Sequence, residues 1–181
     1  MNDVVNDLLI SSSRASDFKR KSHRCFSIDW AVEAGEWSEL EPIDQVISQI
    51  VTCLEQSNLD WPAYSCEASV VFSNDEAVRT LNRDFRNINK TTNVLSFPSS
   101  SRMPSLGDIR HIGDVILASE TILRESVDLD LPPRHHLIHL IIHGILHLLG
   151  YDHESAADAD TMETLETRLL TGLGIPDPYQ A

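Results

Sequence analysis

The sequence predicts a single α+β domain in which one four-stranded sheet is backed by helices and a buried helix lies against it. Three observations predict this. The chain has 181 residues and 41% hydrophobic content, enough for one core of good size and no sign of two. Its apolar segments read in the order β-α-β-α-β-β-α-α-α, short strand-like runs alternating with stretches of helical spacing. One stretch, 132–149, is apolar around most of its circumference, the pattern of a helix surrounded by protein.

The elements follow in chain order. Residues 1–24 are polar and of mixed charge, with Ser11, Ser12 and Ser13 near Arg14, Lys19, Arg20, Lys21 and Arg24. That composition predicts a flexible N-terminal arm, a solvated tail more than an RNA contact, ahead of a single domain over 25–181. Cys25–Val32 reads as a strand. Pro42 opens a helix with Ile43, Val46, Ile47, Ile50, Val51 and Leu54 at helical spacing. Tyr64–Phe72 is a second strand. Ser73 and Glu76 stand at capping-box spacing and predict the start of a helix to about Ile88. That helix carries Val78, Leu81 and Phe85 along one side and a basic stripe of Arg79, Arg83, Arg86 and Lys90 along another. Val94–Phe97 is a strand closed by Pro98, Ser99–Arg110 a polar loop, and Ile112–Leu117 the fourth strand. Within it Asp114 is a carboxylate where none is expected. It either orients a histidine of the site or anchors a neighbouring loop. Ser119–Asp128 is a short helix, and from Ser155 a last helix turns Met162, Leu165 and Leu169 inward and ends at Gly172, Gly174 and Pro176.

The chemistry is concentrated in 139–153, which reads H-L-I-I-H-G-I-L-H-L-L-G-Y-D-H. Pro132 and Pro133 suit the first turn of its helix, which needs no N–H there, so the helix spans Pro132–Leu149. His143 and His147 are four residues apart and project from one face, one turn from each other. Gly150 can take the left-handed conformation that ends a helix, and the following turn returns His153 as a third ligand. A lone buried histidine is ordinarily a hydrogen-bonded core residue. Three at this spacing predict a metal site of His143, His147 and His153. His139, one turn earlier, is expected to support or pack against it.

Three histidines leave one tetrahedral position open, as catalytic zinc sites do, and leave the ion's double positive charge undiminished. Hydrolysis is the chemistry such a site favours. Zinc peptidases with H-E-x-x-H place a glutamate beside the first histidine as general base. Gly144 stands there instead, which disfavours a peptide substrate and leaves a phosphodiester, whose charged oxygens the dication would stabilise. Close helix packing is a second reason for that glycine.

His143–His153 resembles the H-G-x-L-H-L-x-G-Y-D-H signature of the YbeY family of metal-dependent endoribonucleases. The resemblance extends to Leu81-Asn82, Phe85-Arg86, the segment Thr92-Asn93-Val94-Leu95-Ser96-Phe97-Pro98, Gly113-Asp114-Val115-Ile116 and the closing Asp177-Pro178-Tyr179. It implies a zincin-like fold with a buried metal-binding helix. It also implies one zinc ion per chain, catalysis at His143 and a phosphate contact by Arg86, whose planar guanidinium suits that role. The implied activity is single-strand-specific cleavage of RNA, in maturation of the 16S ribosomal RNA 3′ end and in ribosome quality control. The ribosome or a ribosomal protein is the implied partner, and DNA is not. Where the family often carries aspartate, this chain has Asn93.

Composition bounds these readings. Fourteen basic against 28 acidic residues give a formal net charge of -14, which argues against binding nucleic acid by bulk attraction. Cys25, Cys53 and Cys66 form no C-x-x-C pair and fit a reducing cytoplasm. No run reaches the ~18 apolar residues of a membrane helix. A metallopeptidase-like hydrolase, or a ribosome-associated binding module with a structural metal, are the alternatives.

Overall fold

The computed structural model of the chain describes residues 25–40, 42–99 and 109–180. The expected N-terminal arm and most of the polar loop 99–110 lie outside the described residues. Strand β1 (Phe26–Val32) leads through helix α1 (Ile43–Gln56) to strand β2 (Cys66–Ser73), and α2 (Asp75–Arg86) leads to β3 (Val94–Pro98) and β4 (Arg110–Ala118). Helices α3 (Ser119–Asp128), α4 (Pro133–Leu148) and α5 (Ala156–Gly172) complete the chain. The sheet order is β1-β2-β4-β3, with β1, β2 and β4 parallel and β3 antiparallel at the edge beside β4. The α+β class and the order of elements are those the sequence predicts, with a short 3-10 turn at Ser38–Leu40 added.

Strand alternation divides the sheet into two faces. Cys66, Ala68, Val70 and Phe72 of β2 and Val115 and Leu117 of β4 face the main core, which α1, α4 and α5 cover. Leu95, Ile116 and Ala118 face the other way and meet Val78 of α2 in a small second cluster. Helix α4 crosses the main face against β3 and β4, and Leu137, Ile141, Ile142, Ile145 and Leu146 on it are fully enclosed. Burial of each such side chain stabilises the fold by about 1.5–3 kcal/mol. The expectation of a buried helix is met.

Its approach to the sheet is set by Gly144. A Cβ there would lie 2.7 and 2.9 Å from the two Val115 methyl carbons and 3.1 Å from Ser96 Oγ. Ser96 Oγ donates to the Gly144 carbonyl across the same gap, at 3.3 Å. Close packing therefore accounts for this glycine, and a glutamate in its place would have to enter the β-sheet.

Three local expectations are corrected. Ser73 does not cap α2, because it is still in β2, paired with Ala118. Asn74 takes the cap, its side-chain oxygen accepting from the Ala77 N–H at 2.9 Å, which is the usual first-turn geometry for a short polar side chain. Strand β4 begins at Arg110, two residues before the apolar run starts, because β2 continues to pair with it there. Phe85, predicted on the apolar side of α2 with Val78 and Leu81, is exposed. The small cluster ends one turn earlier, so this ring runs past it into a cleft.

Candidate metal centre

The end of α4 is built to aim histidines. Gly150 has φ +94°, a conformation that costs a glycine little. With it the Tyr151 N–H reaches the Leu146 carbonyl at 3.1 Å and the Gly150 N–H the His147 carbonyl at 3.0 Å, the paired bonds that close a helix end around a left-handed residue. The chain reverses at that point and His153 returns over the helix. His143, His147 and His153 thus each offer a ring nitrogen, all lying within 4.8 Å of one another. The His143 and His153 rings stack with centroids 5.6 Å apart, while His147 meets both at steep angles.

Hydrogen bonds behind the rings decide which nitrogen faces the centre. His143 Nδ1 lies 2.8 Å from Glu166 Oε1, and His147 Nδ1 lies 3.0 Å from the Tyr151 carbonyl oxygen. Both partners are acceptors only, so each Nδ1 carries the proton and each Nε2 presents a lone pair. Those two Nε2 atoms are 3.1 Å apart. Two lone pairs at that separation repel unless a cation lies between them. Two ligands held ~2.0–2.1 Å from a tetrahedral zinc stand about 3.3 Å apart, so the arrangement fits the ion. Burial lowers the pKa of His147, and the neighbouring His143 and His153 lower it further. Each effect favours the neutral form that ligates metal.

Glu166 is the residue that sequence reasoning missed. It is 0% exposed and accepts from His143 Nδ1, from His139 Nε2 at 2.9 Å and from the Tyr179 hydroxyl. Burial alone would raise its pKa, but the hydrogen bonds from His139, His143 and Tyr179 outweigh that and hold it at about 2. An ionised carboxylate behind a ligand histidine fixes the ring's tautomer and orientation. Its signal was the spacing: Glu166 is four residues after Met162, on the inward face of α5, where an acidic residue needs partners. His139 has the supporting place expected of it, through this carboxylate.

Asp114 does not orient a histidine of the site: among the described residues it meets His111 Nε2 on its own strand, at 3.4 Å and about half exposed, while His143 and His147 are held by Glu166 and the Tyr151 carbonyl. Most of the loop it was expected to anchor lies outside the described residues. Asn93 lines the cleft and donates to Glu125 Oε2 at 2.9 Å, an oxygen that also receives His136 Nε2 at 2.8 Å. With carboxylate already there, an amide at 93 is a donor where an aspartate would be a second negative charge.

The histidines open onto a cleft of about 730 Å³ lined also by Phe85, Arg86, Asn93, Ser96 and Phe97. Arg86 is the last residue of α2, and Asn87 ends the helix with φ 59°. Two other arginines of the basic stripe are occupied elsewhere. Arg79 Nε donates to Asn89 Oδ1 at 2.8 Å and Arg83 Nε to Asp84 Oδ1 at 2.8 Å. Among the described residues the Arg86 guanidinium has no hydrogen-bond or ion-pair partner, so the cleft holds one uncommitted arginine instead of a stripe.

An α+β domain with three convergent histidine rings in an open cleft with an arginine has the build of a metal-dependent hydrolase. Comparison with known proteins narrows this. The family model described as "Endoribonuclease YbeY" matches residues 31–174, and the chain belongs to that family. Curated relatives carrying the same name include one from Rhizobium meliloti, 39% identical over 84% of this chain and 94% of its own length. Others come from Methylocella silvestris, 46% identical over 84% of this chain and 85% of its own, and from Jannaschia, 43% over 84% and 99%. A solution structure of a protein from Thermotoga maritima shares the fold with TM-score 0.51 at 19% identity, covering 86% of this chain and 99% of that one.

Proposed function

We propose that the chain is a zinc-dependent, single-strand-specific endoribonuclease that acts on ribosomal RNA, in maturation of the 16S 3′ end and in ribosome quality control. The observation that carries this is the cleft itself, where the His143 and His147 lone pairs converge with His153 beside an uncommitted Arg86. Family membership supplies the substrate class, since the relatives are named as endoribonucleases.

A zinc ion held by His143, His147 and His153, one per chain, would supply Lewis acidity at the scissile phosphate and activate the nucleophile. The protein's own groups do the rest. Glu166 and the Tyr151 carbonyl keep His143 and His147 in the tautomer that leaves Nε2 free, so no reorganisation is needed when substrate arrives. Arg86 takes a phosphate oxygen of the bound strand and offsets charge as the bond breaks. Gly144 removes the general base of H-E-x-x-H peptidases, and the contact with Val115 leaves no space for one. That geometry favours the phosphodiester over a peptide. Among the described residues no helix is long and apolar enough to cross a membrane, in keeping with work on ribosomes in the cytoplasm.

The test combines elemental analysis with cleavage of single-stranded and duplex RNA by one preparation. One zinc per chain, with cleavage of the single strand that chelator abolishes and zinc restores, is the expected result. A bound ion without any RNA cleavage would leave the metal a structural role and overturn the proposal.

A further inference from the structure

The apolar row of α2 starts in the core and ends in the cleft. Val78 is fully buried and Leu81 packs on the small cluster, but Phe85, next in the row, is 67% exposed. One exposed phenylalanine is ordinary on a protein surface. Three features set this one apart. It lines the same cleft as His143, His147 and His153. Its ring meets Phe97 of β3 edge to face, centroids 5.2 Å apart and planes at 64°, a contact that orients it from the sheet while most of its surface stays in water. It also directly precedes Arg86, which lines the cleft too.

We infer that Phe85 is the platform on which an unpaired base of the substrate strand stacks, beside the phosphate held by Arg86. The inference rests on the endoribonuclease reading. Proteins bind single strands through backbone charge and through aromatic faces on which bases stack, a contact any base can make. In a duplex the base faces are already stacked on each other, so an aromatic platform selects unpaired strands. Such a contact needs no long-range attraction, which a chain of net charge -14 does not provide. Arg86 fixes one point of the backbone and Phe85 fixes the rotation of the strand about it. Together they define the strand's path toward the three histidines.

The test uses the full chain and a short single-stranded RNA carrying 2-aminopurine, whose fluorescence falls on stacking, with cleavage kinetics in parallel. Phe85→Ala and Phe85→Leu are expected to weaken binding about ten- to hundredfold and to abolish the quenching, since base–aromatic stacks lose about that much on truncation. The loss should fall on KM more than kcat. Phe85→Trp, which keeps an aromatic face, should retain both affinity and quenching. Scanning an abasic ribose along the strand should find one position that costs the parental protein as much as Phe85→Ala does and costs that variant nothing further. Because the ring is mostly in water, the variants should unfold at the parental midpoint and keep their metal. Parental binding by Phe85→Leu, or an abasic scan in which no position is coupled to Phe85, overturns the platform. If the parental protein cleaves RNA while the Phe85 series is flat, the endoribonuclease reading stands and this inference falls. A metal-loaded parental protein that cleaves no RNA overturns both.

Discussion

Replacing Glu166 with glutamine changes one atom of a side chain that is 0% exposed and that three donors share. Glutamine can offer an oxygen to His143 or to the His139–Tyr179 side, but not to both. If the amide nitrogen faces His143, the ring must move its proton to Nε2 and the lone pair at the centre is lost. If it faces His139 and Tyr179, those two groups can rearrange, and His143 keeps a neutral acceptor weaker than a carboxylate. The second arrangement should prevail. Metal affinity then falls about 10- to 100-fold, the usual cost of losing such a supporting group. Stability falls as well. Holding the carboxyl at about 2 against its ordinary 4.5 corresponds to about 3 kcal/mol at ~1.36 kcal/mol per pKa unit. A depressed folded-state pKa contributes stability that is fully present above pH 4.5 and is lost as pH falls toward 2. The difference between parental and Glu166→Gln denaturation curves, taken without metal, should therefore be widest near neutrality and shrink below pH 4.5. Competition with a chelating dye measures the affinity, and urea titration at several pH values the stability. Unchanged zinc affinity in Glu166→Gln, with no loss of stability at neutral pH, would refute the supporting role of this carboxylate.

Elemental analysis should find His147→Ala emptied of metal and His139→Ala still loaded; the reverse pattern would sink the assignment of ligands. Arg86→Ala should keep fold and zinc yet lose most RNA cleavage, chiefly in kcat, because its contact strengthens as charge develops; a variant that cleaves at the parental rate makes the residue incidental. Gly144→Ala should lose about 1 kcal/mol in denaturant titration, since overpacking against Val115, at about 2 kcal/mol, outweighs the roughly 1 kcal/mol that alanine adds to a helix, and a neutral result would mean the helix can retreat from the sheet. The isolated protein should bind single-stranded RNA weakly with a shallow dependence on salt, whereas tight, sequence-indifferent binding that salt steeply erodes would require an extended basic surface.

The helical spacing of His143 and His147 and the glycine that turns the chain back to His153 are local features, settled within fifteen residues, and sequence alone carries them. The same holds for the buried helix, whose apolar circumference admits one environment. What escaped was set by packing between distant elements. Glu166 reaches His143 and His139 only because α5 lies along α4, and nothing near Glu166 in the chain names those partners. Asp114 invited attention as an acidic residue in a strand, yet it alternates with Val115, which meets Gly144 of α4, and so shares the opposite face of the sheet with Ile116 and Ala118. The cap of α2 moved from Ser73 to Asn74 because sheet pairing runs one residue longer than the apolar pattern. Phe85 kept the helical period of Val78 and Leu81, but the core it should have met ends before it.

The charge balance joins these particulars. A chain with twice as many acidic as basic residues repels a polyanion at distances beyond the Debye length of ~8 Å at physiological salt only weakly, and within it strongly. Binding must then come from groups that act at contact. In the cleft these are the three histidines with any ion they hold, the free Arg86 and the apolar ring of Phe85, while Arg79 and Arg83 are held by Asn89 and Asp84. Contact interactions of this kind discriminate by local shape and by unpaired bases, and they do little to hold RNA that merely drifts near. A repulsive surface around a selective cleft also lowers the residence of incorrect strands, which matters for an endonuclease because any strand held long enough is cut. The encounter with the correct strand is then best supplied by a basic partner already bound to it. Under the proposed function a ribosomal protein would be that partner, with the acidic surface of this chain as its counterpart.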